Sequence, residues 1–288
     1  MKISACDAVL GAHITDVDLS RPISELDFRQ IADAFATHAV VVVRSQRLRE
    51  QDQIAFARRF GELEIMKVYQ EFVRPDHPEV FVVSNVIENG KPIGLQEAGR
   101  MWHTDGSFRP KPPMGSLLYA IEIPVRDGTA LGDTLFASTC AAYDALDDAM
   151  KRRLGGLQAV HRLEDGRSGR KLAGAVLRET LTEAQKRAVQ ELVHPVVRTH
   201  PVTGRRCLYV NEQFTSHIVG MPEAQSSQLI RELCDHITQP RFIYRHRWQV
   251  GDLVIWDNCS SQHQALGDYE WPMRRLMHRI TVQGTVPV

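Results

Sequence analysis

The stretch GDLVIWDN, residues 251–258, enters from a Gly-Asp turn and places Leu253, Val254, Ile255 and Trp256 in succession. Such an unbroken apolar run, rich in β-branched and aromatic side chains, reads as a strand with no solvent face. Other layers must therefore cover both of its sides. Working outward, AVVVV (39–43) and EVFVVSNV (79–86) have the same character, and RRLMHRITVQG (274–284) reads as a final strand. Between 114 and 136 short apolar runs are broken by Gly and Pro, and 206–210 and 241–248 return to strand-like sequence. Helical spacing is confined to a few places. Phe28, Ile31, Ala32 and Phe35 fall at i, i+3, i+4 and i+7 within 26–36, and EQDQIAFARRF (50–60) predicts a second helix closing at Gly61. Many short strands with few helices predict a mainly β chain with flanking helices, of the α+β kind, built on a β-sandwich or jelly-roll core.

With 288 residues the chain has room for one large domain or two small ones. Its 35 basic and 35 acidic residues cancel, which removes the bulk charge that would drive binding to nucleic acid. No apolar run is long enough to span a membrane. The start of the chain, MKISACDAVLGAHITDVDLS, does not read as a secretory leader. A cytoplasmic protein with neither nucleic-acid nor membrane partners is the expectation. The five cysteines, at 6, 140, 207, 234 and 259, are odd in number and widely spaced, which argues against a disulfide scaffold or a Cys-rich zinc site. The basic, polar segment 161–191 reads as an insertion, either a solvated excursion or a cover over a site.

The chemistry concentrates in MWHTDGSFRPKPP (101–113). His103 and Asp105 stand one residue apart, and they share a side only if the backbone between them is extended. Gly106, Pro110, Pro112 and Pro113 interrupt a helix and fit that requirement. An H-x-D pair alone is weak. WDNCSSQH (256–263) adds His263 just beyond the buried strand. Two imidazoles and one carboxylate on one face of a divalent iron leave positions for a cosubstrate and O2. The same set could also serve a zinc hydrolase, or survive in a non-catalytic jelly-roll binding protein. On the last strand, alternation puts Arg275, Met277, Arg279 and Thr281 on one face, with the two arginines about 13 Å apart. One guanidinium can fork a carboxylate while the other meets a second anion.

These residues also carry a family resemblance. WHTD (102–105), GDT (132–134), WDN-x4-H (256–263) and RR-x3-R (274–279) occur in that order, with QIAFARRFG (53–61), GRRCLYVN (204–211) and YRHRWQVGDLVIWDN (244–258). Over nearly its whole length the chain resembles the taurine dioxygenase and phenoxyacetate dioxygenase family of Fe(II)- and 2-oxoglutarate-dependent oxygenases. The resemblance implies a single catalytic domain over 1–288 with a double-stranded β-helix, or jelly-roll, core. It implies Fe(II), 2-oxoglutarate and O2, with His103, Asp105 and His263 matching the iron ligands. Thr134 matches the hydroxyl that bonds the distal carboxylate of 2-oxoglutarate, and Arg275 the arginine that forks it. Arg279 matches the arginine that meets the acidic group of the primary substrate, with Tyr69 and Lys67 at the same end. The implied reaction decarboxylates 2-oxoglutarate to succinate and CO2 and hydroxylates a C–H bond, with C–O or C–S cleavage where the carbon bears a heteroatom. Asp105 itself points to hydroxylation rather than halogenation. The sequence departs from the taurine enzymes at Met66, where they carry a His, and at Gly99, where they carry an Asn. A small carboxylate, sulfonate or sulfate other than taurine is therefore the expected substrate, and a homo-oligomer the expected assembly.

Overall fold

In the computed structural model, which describes residues 1–66, 69–96, 98–163 and 192–288, Leu253–Asp257 is a strand with every residue buried. It pairs antiparallel with Val40–Val43 on one side and Gly115–Glu122 on the other. Leu276–Val282, His77–Ser84 and Val73–Arg74 extend the sheet beyond Gly115–Glu122, and Ala12–Thr15 and Lys2–Ala5 extend it beyond Val40–Val43. Ala12–Thr15 runs parallel to Val40–Val43, and the other ladders of this eight-stranded sheet are antiparallel.

The two faces of this sheet carry different cores, which is why its central strands lack polar alternation. On one face Val41, Val43, Leu117, Ile255 and Ile280 pack beneath the helices Glu25–His38 and Glu50–Ala57, through Ile31, Phe35, Ile54 and Phe56. On the other, Phe81, Leu118, Val254, Trp256 and Met277 meet Phe136, Tyr244 and Trp248. Phe136 and Tyr244 belong to a second, antiparallel sheet ordered Ile243–His246, Thr134–Ser138, Ser261–Ala265. A third core gathers Leu154, Leu208 and Ile218 against the helix Glu223–Ile237 through Leu229 and Leu233. The described chain is mostly β with few helices. None of those helices is long and apolar enough to cross a membrane.

The local expectations hold with shifted ends. The first helix runs Glu25–His38, because the Ser24 hydroxyl accepts from the Asp27 amide at 3.0 Å and Ala39 turns left-handed (φ 60°) to close it. The second stops at Ala57, short of Gly61. There the chain turns to seat Phe60 against Phe28, Phe35 and Phe56, with ring centroids 5.0–5.6 Å apart. Aromatic packing overrides the glycine stop. Cys140 and Cys207, 67 positions apart, form a disulfide with Cα atoms 4.2 Å apart. It is a single cross-link from the helix Thr139–Asp144 to the strand Arg206–Leu208, and spacing gave no sign of it.

Of the polar segment expected over 161–191, residues 164–191 lie outside the described residues. Its first residue is not surface. His161 ends the strand Gln158–His161 with no exposed area, and its Nδ1 lies 3.1 Å from the Ser107 hydroxyl. Burial, and then the neighbouring His194, push its pKa down to about 3. The unfolded chain takes up this proton near its ordinary value of about 6.5, the folded chain only near about 3. Its contribution to stability is thus complete above about pH 6.5 and is lost as pH falls toward about 3, by about 1.4 kcal/mol per pH unit. His161→Asn is expected to flatten the drop in urea midpoint between about pH 7 and about pH 4.5. Equal slopes for the two proteins would remove His161 from the acid response.

Candidate active site

His263 sits in the strand Ser261–Ala265 at the edge of the second sheet, opposite Phe136. On its free side it exchanges two backbone hydrogen bonds with His103, His103 N–H to His263 C=O at 3.1 Å and His263 N–H to His103 C=O at 2.9 Å. That single bridge sets the imidazoles side by side, with ring centroids 4.1 Å apart. The backbone is not extended through Asp105 as expected. It enters a turn over 105–108, with Gly106 left-handed at φ +59°. A Cβ on Gly106 would fall 2.7 Å from the Pro113 ring, so glycine is required twice over. The turn nonetheless brings Asp105 Oδ1 to 3.6 Å from His103 Nε2 and 4.0 Å from His263 Nε2. All three side chains are buried, with one donor atom from each within 4.8 Å of the others.

Their protonation suits a cation. His103 Nδ1 donates to the Met101 carbonyl at 2.8 Å, which leaves the lone pair on Nε2. Burial, and then His103, hold His263 well below the usual imidazole range, so it is neutral. Burial works to raise the Asp105 pKa, but the Arg279 guanidinium holds it well below the usual carboxylate range. Two imidazole nitrogens and one carboxylate oxygen therefore converge in a buried space, a donor set that fits a divalent transition metal. Another cluster of described residues, His200, Asp257 and Cys259, is also close enough to hold an ion. Its imidazole has no lone pair to give. His200 Nε2 donates to Asp257 at 2.7 Å, its Nδ1 accepts from the amides of Val202 and Thr203, and burial pushes the Cys259 thiol up. This cluster braces the WDN turn.

On the same inner side lies a corner built by Arg275, Gly132 and Thr134. Arg275, just before the strand Leu276–Val282, is 4% exposed. Among the described residues no carboxylate lies within ion-pairing distance of it, and its Nε has no hydrogen-bond partner. Burial lowers its pKa. Its guanidinium lies 6.0 Å from the Tyr269 ring. The Gly132 turn packs so closely that a Cβ there would stand 2.9 Å from Tyr269 and 3.3 Å from Arg275 Nε. Thr134 follows, opening the strand Thr134–Ser138, and its Oγ1 accepts from Trp248 Nε1 at 3.0 Å. With one lone pair so occupied, the Thr134 hydroxyl hydrogen is directed elsewhere. Sequence reading overlooked Trp248, although it stands one residue before the QVGD turn in the YRHRWQVGDLVIWDN stretch.

The register shift at Leu276/Met277 places its extra residue, Ile121, on the partner strand, so Met277 and Arg279 keep the alternation and face the inner core. Arg279 lies 5.1 Å from the Phe81 ring and donates from Nη1 to Asp105 Oδ1 at 3.3 Å. It thus touches the triad directly. Tyr69 is half-buried beside Phe72, ring centroids 6.5 Å apart, on the edge of the same inner core. Lys67 lies outside the described residues.

The sequence matches the profile of the taurine catabolism dioxygenase TauD, TfdA family over residues 2–281. The chain belongs to this family. It is 36% identical over 284 residues to the α-ketoglutarate-dependent 2,4-dichlorophenoxyacetate dioxygenase of Cupriavidus pinatubonensis, covering 95% of this chain and 94% of that one. It is 33% identical over 282 residues to the α-ketoglutarate-dependent sulfate ester dioxygenase of Pseudomonas putida, covering 97% and 88%. The solved structure of AAD-2 in complex with Mn(II) and N-oxalylglycine superposes with a TM-score of 0.83 at 32% identity, covering 99% of both chains.

Within the TauD/TfdA family the two departures at Gly99 and Met66 have structural counterparts. Gly99 is left-handed (φ +76°), and a Cβ there would stand 3.2 Å from His103 Cε1, so an Asn would press on the imidazole. Met66 Sδ lies 3.5 Å from Arg109 Nη2, and Arg109 also pairs with Glu64. Phe214 meets His103 edge-on at 5.9 Å and Phe108 at 4.9 Å, which makes an apolar wall beside the triad. Trp102 packs against the third core.

Proposed function

We propose that the chain is an Fe(II)- and 2-oxoglutarate-dependent dioxygenase that hydroxylates a C–H bond of a small organic carboxylate, sulfonate or sulfate. His103, Asp105 and His263 would hold Fe(II), and Arg275 with Thr134 would hold the distal carboxylate of 2-oxoglutarate. When bound, iron would supply the redox chemistry by which one O2 oxidises both 2-oxoglutarate, to succinate and CO2, and the substrate C–H, to C–OH. The observation that carries the reading is Arg275, a buried guanidinium without a carboxylate partner among the described residues, next to a buried set of two imidazoles and one carboxylate. A zinc hydrolase would use the triad but leave Arg275 and the Trp248–Thr134 pair without a purpose. The eight-stranded and three-stranded sheets, which share one inner core, are read as the two halves of a jelly-roll in a single catalytic domain.

The chain's own groups divide the work. Asp105 brings the single anion of the triad, and each imidazole brings the lone pair of a ring nitrogen. Trp248 fixes the Thr134 oxygen so that its hydrogen is free to donate to an anion, and Arg275 matches that anion's charge in a buried place. Arg279, beside Asp105 and against Phe81, offers the next cation for the acid group of the substrate. The wall of Phe108 and Phe214 keeps water from the reacting C–H.

Anaerobic reconstitution with Fe(II) and 2-oxoglutarate should give the weak visible charge-transfer band of a chelated keto acid, absent in His103→Ala. Carboxylates, sulfonates and sulfates added with O2 should then be ranked by succinate release. No band, together with zinc-supported turnover without O2, would overturn the reading. Arg279→Ala is expected to raise the KM for the primary substrate at least about tenfold, the scale of a lost charge pair. The requirement for the keto acid should change much less. Equal increases would confine Arg279 to its contact with Asp105.

A further inference from the structure

The two oxygens of Asp105 keep different company. Oδ1 faces the two Nε2 atoms and Arg279. Oδ2 accepts a hydrogen bond from the Ser116 hydroxyl at 2.7 Å. Ser116 lies in the strand Gly115–Glu122, opposite Trp256, and has no exposed area. Its own oxygen accepts from Asn258 Nδ2 at 3.3 Å. A hydroxyl carries one hydrogen, and with Asn258 on its lone pair that hydrogen is committed to Asp105. The Asn258 amide cannot turn, because its Oδ1 accepts from Trp256 Nε1 at 3.1 Å and from the Asp105 backbone amide at 3.4 Å. The whole strut is out of water, with Asn258 at 1% and Trp256 at 2% exposure.

We infer that Ser116, oriented by Asn258, is a positioning residue that holds Oδ2 away from the metal, so that Asp105 ligates through Oδ1 alone. The inference rests on the metal site proposed above. A free carboxylate binds a divalent ion through one oxygen or two. An octahedral ion held by two imidazoles and one carboxylate oxygen keeps three positions open, enough for a chelating keto acid and one further diatomic. A second oxygen from Asp105 takes one of them. Ser116 therefore sets how many open positions the site has, without touching any reactant.

Nitric oxide, which occupies the diatomic position without turnover, tests this. Wild type, Ser116→Ala and Ser116→Thr would each be loaded with Fe(II) and 2-oxoglutarate without O2, titrated with nitric oxide and read by the spin-3/2 electron resonance signal, with Fe(II) binding measured separately by calorimetry. The expected result is one Fe(II) bound by all three proteins, a nitric oxide affinity at least about tenfold weaker in Ser116→Ala, and recovery in Ser116→Thr, which keeps the hydroxyl. An unchanged affinity in Ser116→Ala overturns the inference. So does equal weakening in Ser116→Thr, which would mark a packing role. If Ser116→Ala does not fold, Asn258→Asp replaces the donor to Ser116 by an acceptor of the same shape and should weaken nitric oxide binding in the same way; full affinity there overturns the inference too. Absence of Fe(II) binding by wild type would instead overturn the metal site itself.

Discussion

Asp105→Ala is expected to end turnover and to weaken Fe(II) binding by about a hundredfold or more. The carboxylate is the only anion of the triad, and its pKa stays well below the usual range despite burial because the Arg279 guanidinium lies against it. Its removal subtracts a charged ligand. It also leaves the half-buried Arg279 guanidinium and the buried Ser116 hydroxyl without their shared partner. Breaking a buried charge pair costs about 3–5 kcal/mol, and each 1.4 kcal/mol is about tenfold in an equilibrium constant. Anaerobic calorimetry with Fe(II) reads the loss directly. Undiminished affinity for Fe(II) would remove Asp105 from the ligand set.

Arg275→Ala is expected to raise the 2-oxoglutarate requirement at least about tenfold while Fe(II) affinity stays near that of wild type. The physical basis is the desolvation of the guanidinium, already incurred in the fold, which an incoming carboxylate recovers through two parallel hydrogen bonds. Arg275→Lys keeps the charge but not the fork, so it should recover only part of the affinity. The readout is succinate formation against 2-oxoglutarate concentration at saturating Fe(II). An unchanged requirement in Arg275→Ala would move the keto acid's distal carboxylate elsewhere.

Much of the site was legible in residue types and order, because those depend on the chain alone. His103, Asp105, His263, Thr134 and Arg275 could be picked out from short motifs, and the structure gathers them around one inner core. Arg279 could be picked out as well, but not its contact with Asp105. Alternation along the last strand puts it on the inner face with Met277, and the turn at Gly106 brings Asp105 onto it. That turn leaves no periodic trace. Ser116 and Trp248 were missed for a related reason: each acts through a hydrogen bond to a residue distant in sequence.

Residue chemistry alone dictates that the central strands are covered on both faces, since a run such as Leu253–Trp256 has no side that tolerates water. It also limits which chemistry can be assembled, since only certain side chains ligate a metal or fork a carboxylate. How these groups meet is a property of the packed molecule. The bridge between His103 and His263, the Cys140–Cys207 cross-link and the separate partners of the two Asp105 oxygens all arise where distant segments close on one another. Local periodicity reports the path of a few residues, and contacts between layers are set only when the sheets pack.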